Sequence, residues 1–93
     1  MEDRITLEKI EKYKSLTTEA LHIIKKSIIS GKEKEAKEII DMASNYISDA
    51  EHFEKKADLV NAFAALNYAH GWIDAGVRLG VFNVDDDRLF TIK

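Results

Sequence analysis

Asp74 and Arg78 are the only charged side chains between Leu59 and Val84, in a chain whose preceding part is crowded with lysine and glutamate. There is no proline anywhere, so no residue breaks a helix through a missing N–H or a locked φ. A bundle helix in water needs an apolar arc only a little over ~100° wide. The stretch from Leu59 exceeds that arc, so a fold that contains it has to surround it on most sides.

Two interruptions divide the remainder. At Ser30-Gly31-Lys32 the glycine suits a left-handed helix C-cap. At Lys55-Lys56-Ala57-Asp58 the aspartate suits an N-cap. Gly80 after Leu79 reads as another C-cap. Helix 1 is thus expected over about 6–29, with a stripe of Ile10, Tyr13, Ala20, Leu21, Ile24 and Ile28 at helical spacing. Thr17 and Thr18 weaken its middle, where a kink is expected. Helix 2 is expected over about 34–54, with the clean stripe Ala36, Ile39, Ile40, Ala43, Tyr46, Ile47, Ala50 and Phe53. Helix 3 is expected over about 59–79, and a short tail occupies 81–93. Short loops between long helices make neighbours antiparallel. The fold class is therefore all-α, an up-and-down antiparallel three-helix bundle with a short C-terminal tail. The 93 residues fit one domain, 1–93.

At ~100° per residue helix 3 sorts into faces. Leu59, Phe63, Leu66, Ile73 and Val77 form a large apolar stripe. Ala62, Ala65, Ala69, Gly76 and Gly80 form a small-residue stripe beside it. Helices 1 and 2 cover these two. Tyr68, Trp72 and Leu79 lie further round and need a cover of their own. Either the tail folds back over them or another chain does. Tyrosine and tryptophan concentrate binding energy at interfaces, so Tyr68, Trp72, Leu79 and Phe82 are the expected interface. The expected partner is a second copy, as a homodimer or higher oligomer, or another protein.

Net charge is −3, against the basic surplus of a general nucleic-acid binder. Lys25, Lys26, Lys32, Lys34 and Lys37 cluster, but Glu33, Glu35 and Glu38 interleave with them, so a nucleic-acid partner is not expected. No apolar run has the length of a membrane span, and Met1–Ile10 carries no signal-peptide core. With no cysteine, disulfides and thiolate metal sites are excluded. These features fit a cytoplasmic address, and the lysine- and glutamate-rich composition leans toward a thermophile.

The polar strip of helix 3 is Asn67, Gly71, Asp74 and Arg78, with His70 on its border. His70–Asp74 and Asp74–Arg78 each stand at i,i+4. As chemistry, Asp74 would orient His70 as a general base and Arg78 would hold an anion. As structure, the same spacing is a surface ladder of paired charges. No nucleophile is placed beside them, which favours the ladder and no catalytic residue. Asn67, His70, Asp74 and Arg78 are the candidate binding residues for a small ligand, the alternative to an interaction module. Asp49-x-x-His52 has metal-ligand spacing, but its helix face points to water, as does that of His22, so no metal and no cofactor is expected. Phosphate-binding loops, dinucleotide fingerprints and nucleophile elbows are missing from the sequence.

The run Ala65-Leu66-Asn67-Tyr68-Ala69-His70-Gly71-Trp72-Ile73-Asp74-Ala75-Gly76, preceded by Asp49-Ala50-Glu51-His52-Phe53, resembles the short archaeal proteins grouped as domain of unknown function 357. The resemblance covers roughly residues 35–82 well and helix 1 only in its helical character. It implies a closed three-helix bundle, an archaeal source and no assigned activity, and it brings no functional residues with it. Ala57 stands where that family often has glycine before the helix 3 aspartate.

Overall fold

The computed structural model describes residues 4–86, 89 and 90. Three helices follow in order, α1 (Leu7–Lys25), α2 (Glu33–Lys55) and α3 (Leu59–Arg78). Each start has a local cause. The Thr6 hydroxyl accepts from the Lys9 N–H at 3.1 Å, and the Asp58 carboxylate accepts from the Asn61 N–H at 3.2 Å. Both satisfy donors that a helix N-terminus leaves open. Glu33 and Glu35 place acidic charge in the first turn of α2, where the helix dipole favours it.

The ends of α2 and α3 close alike. After α3, Gly80 takes φ +78°, while its N–H donates to the Val77 carbonyl and that of Val81 to the Gly76 carbonyl. After α2, Ala57 takes φ +58°, with its N–H on Glu54 and that of Asp58 on Phe53. This paired closure uses a left-handed residue that is ordinarily glycine. A left-handed L-residue costs roughly 1–2 kcal/mol. Ala57→Gly removes that cost and returns about 0.4–1 kcal/mol of it as unfolded-chain entropy. The expected outcome is a net gain of about 0.5–1 kcal/mol, read as a higher urea midpoint. A lower midpoint would mean that Ala57 is not strained.

α1 departs from expectation at its end. It stops at Lys25 rather than near Ile29, and Gly31, left-handed at φ +93°, serves the turn into α2 instead of capping α1. The reason is non-local. Ile28 pairs antiparallel with Phe82: the Ile29 N–H donates to Val81 and the Asn83 N–H to Ser27, at 3.0 and 2.8 Å. The strand-like segment after α1 is thus zipped to the segment after α3. The middle of α1 runs on unbroken through Thr17 and Thr18, without the expected kink in its helical assignment.

α3 is the central element. It makes its most extensive contact with α2 and a smaller one with α1, while α1 and α2 meet least. Its small-residue stripe explains the close approach to α2: Ala62, Ala65 and Ala69 are buried along with Leu66 and Ile73. Among the described residues two apolar clusters result. One joins Ala20, Leu21, Ile24, Ala36, Ile39, Ala43, Ala69 and Ile73 to Val81, Phe82, Leu89 and Phe90. The other joins Ile10, Ala50, Ala62, Ala65 and Leu66. The tail is therefore a core element.

One polar bridge ties α1 to α2. The Lys14 ammonium lies 3.1 Å from Glu54 and 3.7 Å from Glu11. With Glu11 and Lys14 beside it the Glu54 carboxyl sits below its ordinary range, and the neighbouring Glu54 lifts that of Glu11. Among the described residues no helix is long and apolar enough to cross a membrane.

Candidate functional site

Residues three and four apart on a helix share a face, which aligns Asn67, His70 and Asp74 along α3. α1 runs beside this face with Lys12, Tyr13 and Leu16, and Leu89 of the tail joins them next to His70. Together with Gly71 they line a cleft of about 490 Å³. Three of the four candidate binding residues are thus brought together. The fourth, Arg78, is exposed in the last turn of α3 and is not among the lining residues.

His70 is held on both ring nitrogens. Nε2 lies 2.8 Å from the Leu89 carbonyl oxygen. A carbonyl only accepts, so Nε2 carries a hydrogen and donates it. In the neutral ring Nδ1 is then the acceptor, and the Thr17 hydroxyl, 3.3 Å away, donates to it. Asp74 stands further from Nε2, at 3.8 Å, beyond hydrogen-bond range. The i,i+4 spacing thus places Asp74 beside His70 without making it the group that orients the ring. Thr17 and the tail carbonyl do that. His70 accordingly fastens α1, α3 and the tail to one another, and its nitrogens are engaged before any substrate arrives.

Thr17 and Leu89 are functional neighbours that the sequence reading missed. Thr17 was detectable, since it falls on the Ile10–Ile24 stripe of α1 and is fully buried, and a buried hydroxyl requires a partner. Leu89 contributes through its backbone, which no side-chain pattern reveals. Thr17→Val keeps the volume and leaves Nδ1 without its donor. The expected cost is about 1–2 kcal/mol, checked by urea denaturation together with the NMR shifts of the His70 ring. An unchanged midpoint and unchanged ring shifts would remove Thr17 from this clamp.

The expected interface residues divide. Tyr68 and Leu79 are 62% and 76% exposed. Trp72 is half-buried, with one side against the core. Tyr68 stacks on Tyr46 of α2, ring centres 5.4 Å apart and planes 27° from parallel, which fixes its direction. Asn67, Tyr68, Gly71, Trp72 and Ala75 line a shallow apolar groove of about 360 Å³ on this outer face. Phe82 is the correction. It is 2% exposed, seated against Gly76 of α3 and Ile39 of α2, so the chain's own core takes it up. The left-handed turn at Gly80 aims it there.

The remaining candidates stay apart from this site. Asp49, His52 and His22 are exposed on their helices. Among the described residues no three histidine or carboxylate side chains gather as they would around a metal ion. The lysines from Lys25 to Lys37 are exposed, and Lys37 pairs with Asp41 at 2.9 Å.

Residues 12–82 match the family described as protein of unknown function (DUF357). The matched span holds the cleft residues of α1 and α3 and the outer face of α3, and it ends before Leu89. Among curated proteins and among solved structures, none matches the chain.

Proposed function

The chain belongs to the DUF357 family, and from that premise we propose that it is a non-enzymatic protein–protein interaction and assembly module, docking its partner on the outer face of α3. The observation that carries this reading is the exposure of Tyr68 and Leu79 beside Trp72. Leu89 and Phe90 of the tail are buried in the core cluster, yet this aromatic face still stands open. Burying an aromatic side chain of this size stabilises a complex by about 1.5–3 kcal/mol.

The test compares the tagged chain with a Tyr68→Glu/Leu79→Glu variant in affinity purification from native lysate, read by mass spectrometry and by the mass of the purified complex. Both positions are exposed, so the variant is expected to keep its helical circular dichroism, losing only the stack of Tyr68 on Tyr46. The expected result is a stoichiometric protein, a second copy or another chain, that the variant loses. Identical complexes from both chains would defeat the reading.

A second reading rests on the cleft. Asn67, His70 and Asp74 converge there with Lys12, a polar set suited to a small polar ligand. Because both His70 nitrogens are engaged, Asn67 and Lys12 would make the contacts. A ligand raises the melting temperature by mass action, so a metabolite screen by thermal shift tests it. A hit that Asn67→Ala abolishes supports the cleft, and a screen without stabilised hits counts against it.

A further inference from the structure

The exposed positions of α3 have a spacing that specifies more than stickiness. Tyr68, Trp72, Ala75 and Leu79 follow one another at intervals of four, three and four, the interval pattern of a coiled-coil seam. Ala75 is exposed like Tyr68 and Leu79, and Trp72 is half-buried. The order of sizes along this seam is self-complementary when reversed. Laid antiparallel on itself, Tyr68 meets Leu79, and Trp72 meets Ala75, the only small residue of the four. The two central layers then join each Trp72 to an alanine that leaves room for it, and the two outer layers join an exposed tyrosine to an exposed leucine.

The parallel alternative fails on the same residues. It would set the two Trp72 rings against each other and leave a gap at Ala75. It would also place the two Arg78 guanidinium groups on the same level, where like charges repel. The antiparallel arrangement carries the two Arg78 side chains to opposite ends of the seam. Each then comes level with the neighbourhood of Gly71 in the second copy. Gly71 lies in mid-helix, and a Cβ there would meet nothing within 4 Å, so no contact inside the chain requires glycine. It leaves space on the flank where Arg78 of the second copy would lie.

We infer that the occupant of the outer face is a second copy of this chain, paired through α3 in an antiparallel, two-fold manner with Trp72 of each copy over Ala75 of the other. The inference rests on the docking reading above and names its partner. A two-fold interface uses the same patch on both copies, which this seam satisfies.

Light scattering on the full chain across a concentration series is the first measurement. The expected mass is twice the 10.6 kDa of the monomer, and Ala75→Glu should return it to the monomer with unchanged helical circular dichroism. The chain has no cysteine, so orientation follows from Tyr68→Cys and Leu79→Cys variants treated with a short bis-maleimide. Mixed, the two should cross-link to each other, and each alone should remain single. A monomeric wild type, or an Ala75→Glu chain that stays dimeric, would overturn the inference. So would Tyr68→Cys chains cross-linking among themselves. A monomeric wild type that still carries a foreign protein, lost on Tyr68→Glu/Leu79→Glu, would overturn self-pairing and leave the docking reading standing.

Discussion

Phe82→Ala is expected to cost about 3–5 kcal/mol, a large share of the 5–15 kcal/mol that holds a typical domain folded. The ring is 2% exposed and lies over the α3 backbone at Gly76, where the Ile39 side chain also reaches. It belongs to the cluster that joins α1, α2, α3 and the tail. Removing it leaves a void among Ala, Ile and Leu side chains that cannot collapse without moving a helix. The backbone bonds on either side, from Ile29 to Val81 and from Asn83 to Ser27, survive the substitution, so the loss isolates packing. Urea denaturation should show a much lower midpoint with an unchanged slope. A cost below 1 kcal/mol would mean that the ring does not fill the core as described.

The second large effect is a pair of identical substitutions with opposite signs. A Cβ at Gly76 would lie 2.6 Å from Phe82 Cε2 and 2.8 Å from Ile39 Cδ1. The isoleucine methyl has freedom to turn aside, but the buried ring does not. Overpacking of this kind costs about 1–3 kcal/mol, against up to about 1 kcal/mol regained by removing glycine from a helix interior. Gly76→Ala should therefore destabilise by about 1–2 kcal/mol. Gly71→Ala meets nothing within its own chain and should stabilise the fold of the single chain by about 0.5–1 kcal/mol. In a Phe82→Ala background the clash is gone, and Gly76→Ala should turn neutral or favourable. Four urea midpoints complete this cycle. Additive values at Gly76 and Phe82 would show that the two do not touch.

The helices were legible because their signals are local. Asp58 caps α3 as its sequence position indicates, and α2 and α3 begin and end within a residue of expectation. What the sequence concealed depends on distant partners. α1 ends at Lys25 because Ile28 is drawn to Phe82, and nothing near Ile28 announces that pairing. Phe82 looked like an interface residue because its pocket, at Gly76 and Ile39, lies on two other elements. In the cleft, the i,i+4 spacing placed Asp74 next to His70, while the bonds that hold the ring come from Thr17 and from a backbone carbonyl at Leu89. A hydroxyl on an apolar stripe was a readable clue, and a carbonyl delivered by the tail was not. Arg78 was grouped with Asn67, His70 and Asp74 by helix angle alone, whereas the cleft is lined on α3 by Asn67, His70, Gly71 and Asp74, opposite Lys12, Tyr13 and Leu16 of α1, and Arg78 lies outside it.

The lone tryptophan sits where its emission distinguishes two events. One side of Trp72 packs against the core, and the other lines the outer groove. Heating uncovers both sides of the indole. Diluting the folded chain at constant temperature uncovers only the groove side, and only if something had covered it. A red shift on dilution with steady ellipticity would therefore report on the outer face alone, in a single cuvette and without a label.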